Sequence, residues 1–171
     1  MIYTADEIAA RVRELGREIG AAYTPGDRLL VLGLLKGSFI FLADLVREIP
    51  LPHQVDFLVA ASYGDRTTTS GDVRLLYEPG ASLEGRAVVV VEDIVDSGTT
   101  LARIVPTLEA RGAKSLEICA LLHKRLVALE KEARWVGFEA PPEFLVGYGL
   151  DSRENFRHLP NIGSLGQRAN D

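Results

Sequence analysis

Apolar positions along this 171-residue chain change their period several times, and each change marks a new element. Ile8, Val12, Leu15 and Ile19 recur at helical spacing. Thr4 and Glu7 form a capping box ahead of them, and Pro25-Gly26 stops the element. Leu29–Leu35 is a short continuous apolar run, which predicts a buried strand. Phe39–Ile49 predicts a helix ended by Pro50 and Pro52. Val55–Ser62 and Val73–Tyr77 predict strands on either side of a polar stretch, residues 64–72, that has no period. Then come a strand at 87–92 built on four valines, a helix at about 100–110 stopped near Gly112, and a strand at 115–122. Leu126–Ala133 is amphipathic, and Trp135 packs at a strand start.

Strands alternating with helices predict one α/β domain with a mostly parallel sheet and right-handed crossovers. Ligands of such sheets sit outside the carboxyl ends of the strands. Leu35-Lys36-Gly37, Glu92–Thr100 and Lys124 all fall at such ends.

The richest of these is Val88–Thr100. A buried valine strand leads into the acid pair Glu92-Asp93, then into Asp96-Ser97-Gly98-Thr99-Thr100 at a helix start. Backbone N–H groups of such a loop, with hydroxyls added, suit a phosphate monoester. No lysine follows the glycine, which disfavours a Walker-type nucleotide loop. Glu92 and Asp93 would repel a phosphate but suit sugar hydroxyls, or a divalent cation over them. The ligand implied is a ribose 5-phosphate. The bland alternatives are a solvated strand end for the acid pair and a helix N-cap for Asp96.

Composition narrows this little. A net charge of −5 argues against a broad basic nucleic-acid surface and asks for Mg²⁺ or local cations where a polyanion binds. One cysteine, Cys119, excludes a disulfide within the chain. The apolar runs are too short to span a membrane, so the expected address is the cytoplasm. His53, His123 and His158 lack metal-ligand spacing and are read as structural.

Glu92–Thr100 resembles the phosphoribosyl-pyrophosphate motif of type I phosphoribosyltransferases, in the variant of the 6-oxopurine, hypoxanthine-guanine branch. Leu34–Ser38 resembles that branch's pyrophosphate loop, Ala61–Gly64 the start of its catalytic loop, and Leu121–Arg125 its purine-reading strand. Val136–Glu139, Phe144–Asp151 and Arg157 resemble its base-stacking and metal segment, and the motifs keep the family's order. The stretch 126–134 is least like the family.

The resemblance implies a type I phosphoribosyltransferase fold: a mostly parallel twisted sheet flanked by helices, a mobile lid at about 62–75 and a C-terminal hood at about 135–171. It implies a non-proline cis peptide at Leu35–Lys36. Asp96 would be the general base beside purine N7. Ser97, Gly98, Thr99 and Thr100 would hold the 5-phosphate. Lys36, Gly37, Ser62, Tyr63 and Arg157 would contact pyrophosphate, and Glu92 and Asp93 the ribose. Lys124, Phe144, Leu145 and Asp151 would form the purine side, with Glu92, Asp93 and Asp151 serving Mg²⁺.

The expected reaction is purine salvage, converting hypoxanthine or guanine with phosphoribosyl pyrophosphate to IMP or GMP. The partners are small molecules, with no nucleic acid and no membrane, in a homodimer or homotetramer. The helix at 39–49 is a candidate interface because Phe39, Phe41, Leu42 and Leu45 spread around more than one face. Two alternatives stand beside this: a xanthine-preferring transferase, and a non-catalytic phosphoribosyl-pyrophosphate sensor.

Overall fold

A computed structural model of the chain describes residues 1–63, 72–125 and 130–165, the side chains of 61–63 and 72–75 excepted. The first helix, α1 (Ala5–Ala22), opens with the expected capping box between Thr4 and Glu7. Ile8, Val12, Leu15 and Ile19 are each no more than 2% exposed. Each such side chain stabilises by about 1.5–3 kcal/mol, against about 1 kcal/mol for a cap, so the apolar stripe holds α1 in place and the cap sets its start.

The chain continues through β1 (Leu30–Leu35), α2 (Phe39–Glu48), β2 (Gln54–Tyr63), β3 (Asp72–Tyr77), β4 (Ala87–Val95), α3 (Thr99–Glu109), β5 (Ser115–His123) and β6 (Trp135–Glu139). These strands form one sheet in the order β3-β2-β1-β4-β5-β6. All neighbours are parallel except β2 and β3. Two short strands, β7 (Leu145–Val146) and β8 (Gly163–Ser164), pair antiparallel apart from that sheet. A bridge from Tyr3 to Ile162 ties the start of the chain to them.

The pleat sorts the valine run between two cores. Val89 and Val91 pack with α1 and α2, while Val88 and Val90 pack with α3. Strand β4 runs three residues beyond the expected end at Glu92, because Ile94 and Val95 still pair with Leu122 and His123 of β5. The acid pair therefore lies within a strand. Of the four α2 residues expected at an interface, Phe41, Leu42 and Leu45 are buried in the chain's own core and only Phe39 is left exposed. At the opposite, amino-terminal edge of the sheet, the buried Arg86 donates to the carbonyls of Arg28 and Leu29 and to Gln54 Oε1.

Among the described residues, no helix is long and apolar enough to cross a membrane.

Candidate functional site

The sheet order places β1 beside β4, with the chain winding outward from them in both directions, so the loops that follow these two strands face one crevice. After β1 the Leu35–Lys36 peptide is cis. Ser38 precedes α2, yet its hydroxyl caps nothing there. It donates instead to the Leu34 carbonyl at 2.6 Å, folding the turn back on its own strand. Gly37 lies against Asp93, and a Cβ there would overlap the Asp93 carboxylate.

Glu92 and Asp93 are neighbours in a strand, so their side chains leave opposite faces of the sheet. Glu92 lines a cavity of about 80 Å³ together with the loop of residues 96–100. Its Oε2 is shielded from solvent and has no hydrogen-bond partner among the described residues. Burial first, and Asp93 second, push its carboxyl well above the usual range. Burial also pushes Asp93 up to about 6, against the lowering effect of backbone N–H groups and Arg157. A covered carboxylate with an unpartnered oxygen, next to a second acid in a crevice, asks for a cation or for hydroxyl donors.

Gly98, with φ of 72°, opens α3 and accepts at its carbonyl from Ala102 N–H at 2.9 Å. The N-cap is therefore Gly98, which corrects the N-cap reading of Asp96. Ser97 Oγ and Thr99 Oγ1 are 2.9 Å apart, gathering two hydroxyls at the helix start. A larger cavity of about 520 Å³ opens on the other side of this loop against Leu101, Val105 and Pro106, with none of Lys36, Lys124 or Arg157 among its lining.

Lys124 follows β5 and is held by its N–H to the Val95 carbonyl at 3.0 Å. Its ammonium lies 3.1 Å from Asp96 Oδ2, with the lysine side chain 11% exposed and the aspartate 55%. A covered cation and an open carboxylate thus meet where the two strand ends meet. Leu145 is buried in β7, and Phe144 beside it is 45% exposed.

The fourth wall is the turn that follows β7. Gly149, with φ of 101°, rests directly on the pyrophosphate-loop candidate, since a Cβ on it would overlap the Gly37 carbonyl. Arg157 donates to the Gly149 carbonyl at 2.7 Å and pairs with Asp151 at 2.8 Å. These two lie in an irregular turn in which Arg153, Glu154 and Phe156 all have positive φ.

Glu154 was not anticipated. It pairs with Lys36 at 3.2 Å and with Arg157 at 3.4 Å. Its position, three residues after Asp151 and three before Arg157, was the signal available. Tyr148 was also missed: its hydroxyl donates to Asp44 of α2 at 2.6 Å, tying this turn to the helix behind the crevice. Burial first, then that hydrogen bond, raise the Tyr148 pKa.

Among the described residues, no group of three or more histidine, cysteine or acidic side chains forms a metal cage. The donors at hand are carboxylate oxygens, with Glu92 Oε2 unpartnered. That set fits a hard cation that keeps waters and takes further ligands from a substrate, as Mg²⁺ does. Residues 64–71 of the expected lid lie outside the described residues, as do the Ser62 and Tyr63 side chains.

A profile of the phosphoribosyl transferase domain matches residues 1–153. The chain is 45% identical over 161 residues to a hypoxanthine phosphoribosyltransferase of Salmonella typhimurium, covering 93% of this chain and 90% of that protein. It is 45% identical over 174 residues to a hypoxanthine-guanine phosphoribosyltransferase of Mycobacterium avium, covering 98% and 86%. A crystal structure of a hypoxanthine phosphoribosyltransferase from Staphylococcus aureus superposes with a TM-score of 0.90 at 39% identity, covering 96% of this chain and 89% of that one.

Proposed function

We propose a function from the premise that this chain belongs to the phosphoribosyltransferase family. It is a purine-salvage transferase that moves the 5-phosphoribosyl group from phosphoribosyl pyrophosphate to N9 of hypoxanthine or guanine, releasing pyrophosphate. The observation that carries this is the Lys124–Asp96 pair at 3.1 Å, with Asp96 at the head of the phosphate-type loop of residues 96–100. O6 and N7 share one edge of a 6-oxopurine. An ammonium donating to O6 and a carboxylate taking the proton at N7 need to stand side by side, as these two do.

The bond from the anomeric carbon to pyrophosphate breaks as the bond to N9 forms, and positive charge develops on the ribose. Asp96 accepts the purine proton. Ser97–Thr100 hold the 5-phosphate, and Glu92 and Asp93 accept from the ribose hydroxyls. Lys36, Gly37 and Arg157 receive pyrophosphate, and Phe144 and Leu145 flank the base. Bound through Glu92, Asp93 and Asp151, Mg²⁺ would supply charge neutralisation for the diol and the leaving group. Ser62, Tyr63 and the loop to about residue 75 would close over the reactants and exclude water.

Lys124 favours an exocyclic oxygen over the amino group of adenine, since two donors facing each other leave one unpaired.

The enzyme acts as a homodimer or homotetramer, in the cytoplasm where free bases are salvaged. Val55 and Phe57 of β2 and Tyr77 of β3 are exposed on the sheet face that carries α2, and Phe39 of α2 is exposed as well. Such a patch suits a second copy of the chain.

Initial rates with phosphoribosyl pyrophosphate against hypoxanthine, guanine, xanthine and adenine test the reading. Pyrophosphate release with the first two, abolished by chelator, is expected. Turnover of xanthine alone would move the base pocket to another specificity. Binding of phosphoribosyl pyrophosphate without turnover of any base would make the protein a sensor.

A further inference from the structure

Resting on that reading, we infer that Glu154 is a resident competitor for pyrophosphate: its carboxylate occupies the two cations that pyrophosphate must take, and so weakens the hold on the leaving group.

Lys36 and Arg157 come from opposite ends of the fold, one after β1 and one after β7, yet both converge on this single side chain. Lys36 Nζ is 3.2 Å from Oε1 and Arg157 Nη2 is 3.4 Å from Oε2, so each oxygen takes one cation. A pyrophosphate bridging the two cations would displace both contacts.

Glu154 has no core function that would explain its placement. Its side chain is 66% exposed. Arg157 does not depend on it, because Asp151 at 2.8 Å and the Gly149 carbonyl at 2.7 Å already fix the guanidinium. What is specified is the backbone. The Glu154 N–H donates to Asp151 Oδ2 at 2.8 Å, and the residue has a φ of 64°, a conformation that L side chains rarely adopt. The turn is bent so that this carboxylate reaches back across the crevice to Lys36, which is 68% exposed.

Exposed ion pairs are weak, and that weakness suits the part. A carboxylate bound tightly to both cations would block the substrate. One bound loosely yields to a ligand of higher charge and more oxygens, and returns to the cations as that ligand leaves. Glu154 therefore lowers the affinity of the pyrophosphate subsite and favours product release, leaving the purine subsite at Lys124 and Asp96 alone.

The test is calorimetric titration of pyrophosphate, with Mg²⁺ present throughout, into the wild-type protein, Glu154→Gln and Glu154→Ala. Both variants should bind pyrophosphate about 3- to 10-fold more tightly than wild type, with the gain shrinking as salt is raised. KM for phosphoribosyl pyrophosphate should fall in step while KM for hypoxanthine stays put. In a Lys36→Ala background the Glu154→Gln gain should be smaller, since part of the contact is already gone. Equal or weaker pyrophosphate binding by both variants would overturn the inference, and an undiminished gain in the Lys36→Ala background would overturn the role given to Lys36. Should the wild-type protein neither bind pyrophosphate nor turn over any purine, the transferase reading itself fails, which is a distinct result.

Discussion

The two edges of the sheet bury charge in opposite ways. At the amino-terminal edge Arg86 is 6% exposed and its guanidinium is met by two carbonyls and a side-chain amide oxygen. At the carboxyl-terminal edge Glu92 keeps a carboxylate oxygen with no hydrogen-bond partner among the described residues, Asp93 is met only by backbone N–H groups and Arg157, and burial pushes both carboxyls up. Buried polar groups in proteins are normally satisfied. One edge obeys that rule and fastens strand ends together; the other departs from it where the crevice opens. The difference is the one expected between residues that hold the fold and residues proposed to receive a ligand.

The sharpest break of this comparison comes from Asp96→Asn, which should lower kcat by about 10²- to 10⁴-fold, the usual reach of a general base. Its side chain is 55% exposed, so the melting temperature should hardly move; wild-type turnover would remove Asp96 from the mechanism. Arg86→Met should do the reverse. Leaving the carbonyls without their donor should lower stability by about 2–4 kcal/mol, read by denaturant unfolding, with kcat per folded molecule retained.

Asp93→Asn should stabilise the unliganded protein at neutral pH while reducing turnover. The native carboxyl titrates near 6, up from 3.8, so the folded state takes up a proton at a pH where the unfolded chain has none. Its ionised form is a burden above pH 6 that is relieved as pH falls from about 6 toward 4. The gain from the amide should be about 1–3 kcal/mol at pH 7.5 and should vanish near pH 4; melting curves across that window decide it. The smallest effect is expected of Lys124→Ala, which should cut discrimination against adenine by about tenfold, in line with one lost hydrogen bond of about 1–2 kcal/mol. An unchanged ratio of kcat/KM values would take base reading away from Lys124.

Much of this was legible in the chain itself, because the signals were local. The Thr4–Glu7 cap, the stripe of α1, the valine strand and the loop of residues 96–100 each announce themselves within a dozen residues. Where the reading fell short, the cause lay far away in sequence. Glu92 and Asp93 look like a strand end, yet β5 supplies partners that carry β4 on to Val95. Arg86 looks like a polar flank, and only the carbonyls of residues 28 and 29 make it a buried clamp. Glu154 was passed over because its meaning depends on Lys36, 118 residues earlier. Conversely Phe41, Leu42 and Leu45 suggested a shared surface, and the chain's own core uses them.

The contact between Gly149 and Gly37 bears on how variation in this protein should be read. Two stretches of main chain touch there with no side chain between them, and Gly37 in turn makes room for Asp93. An exhaustive substitution library should show intolerance at both positions as deep as at Asp96, although neither glycine carries a reacting group. A search for function that replaces side chains with alanine would score them as packing defects. They are better understood as reserved space, a requirement written into the sequence as something that must not be added.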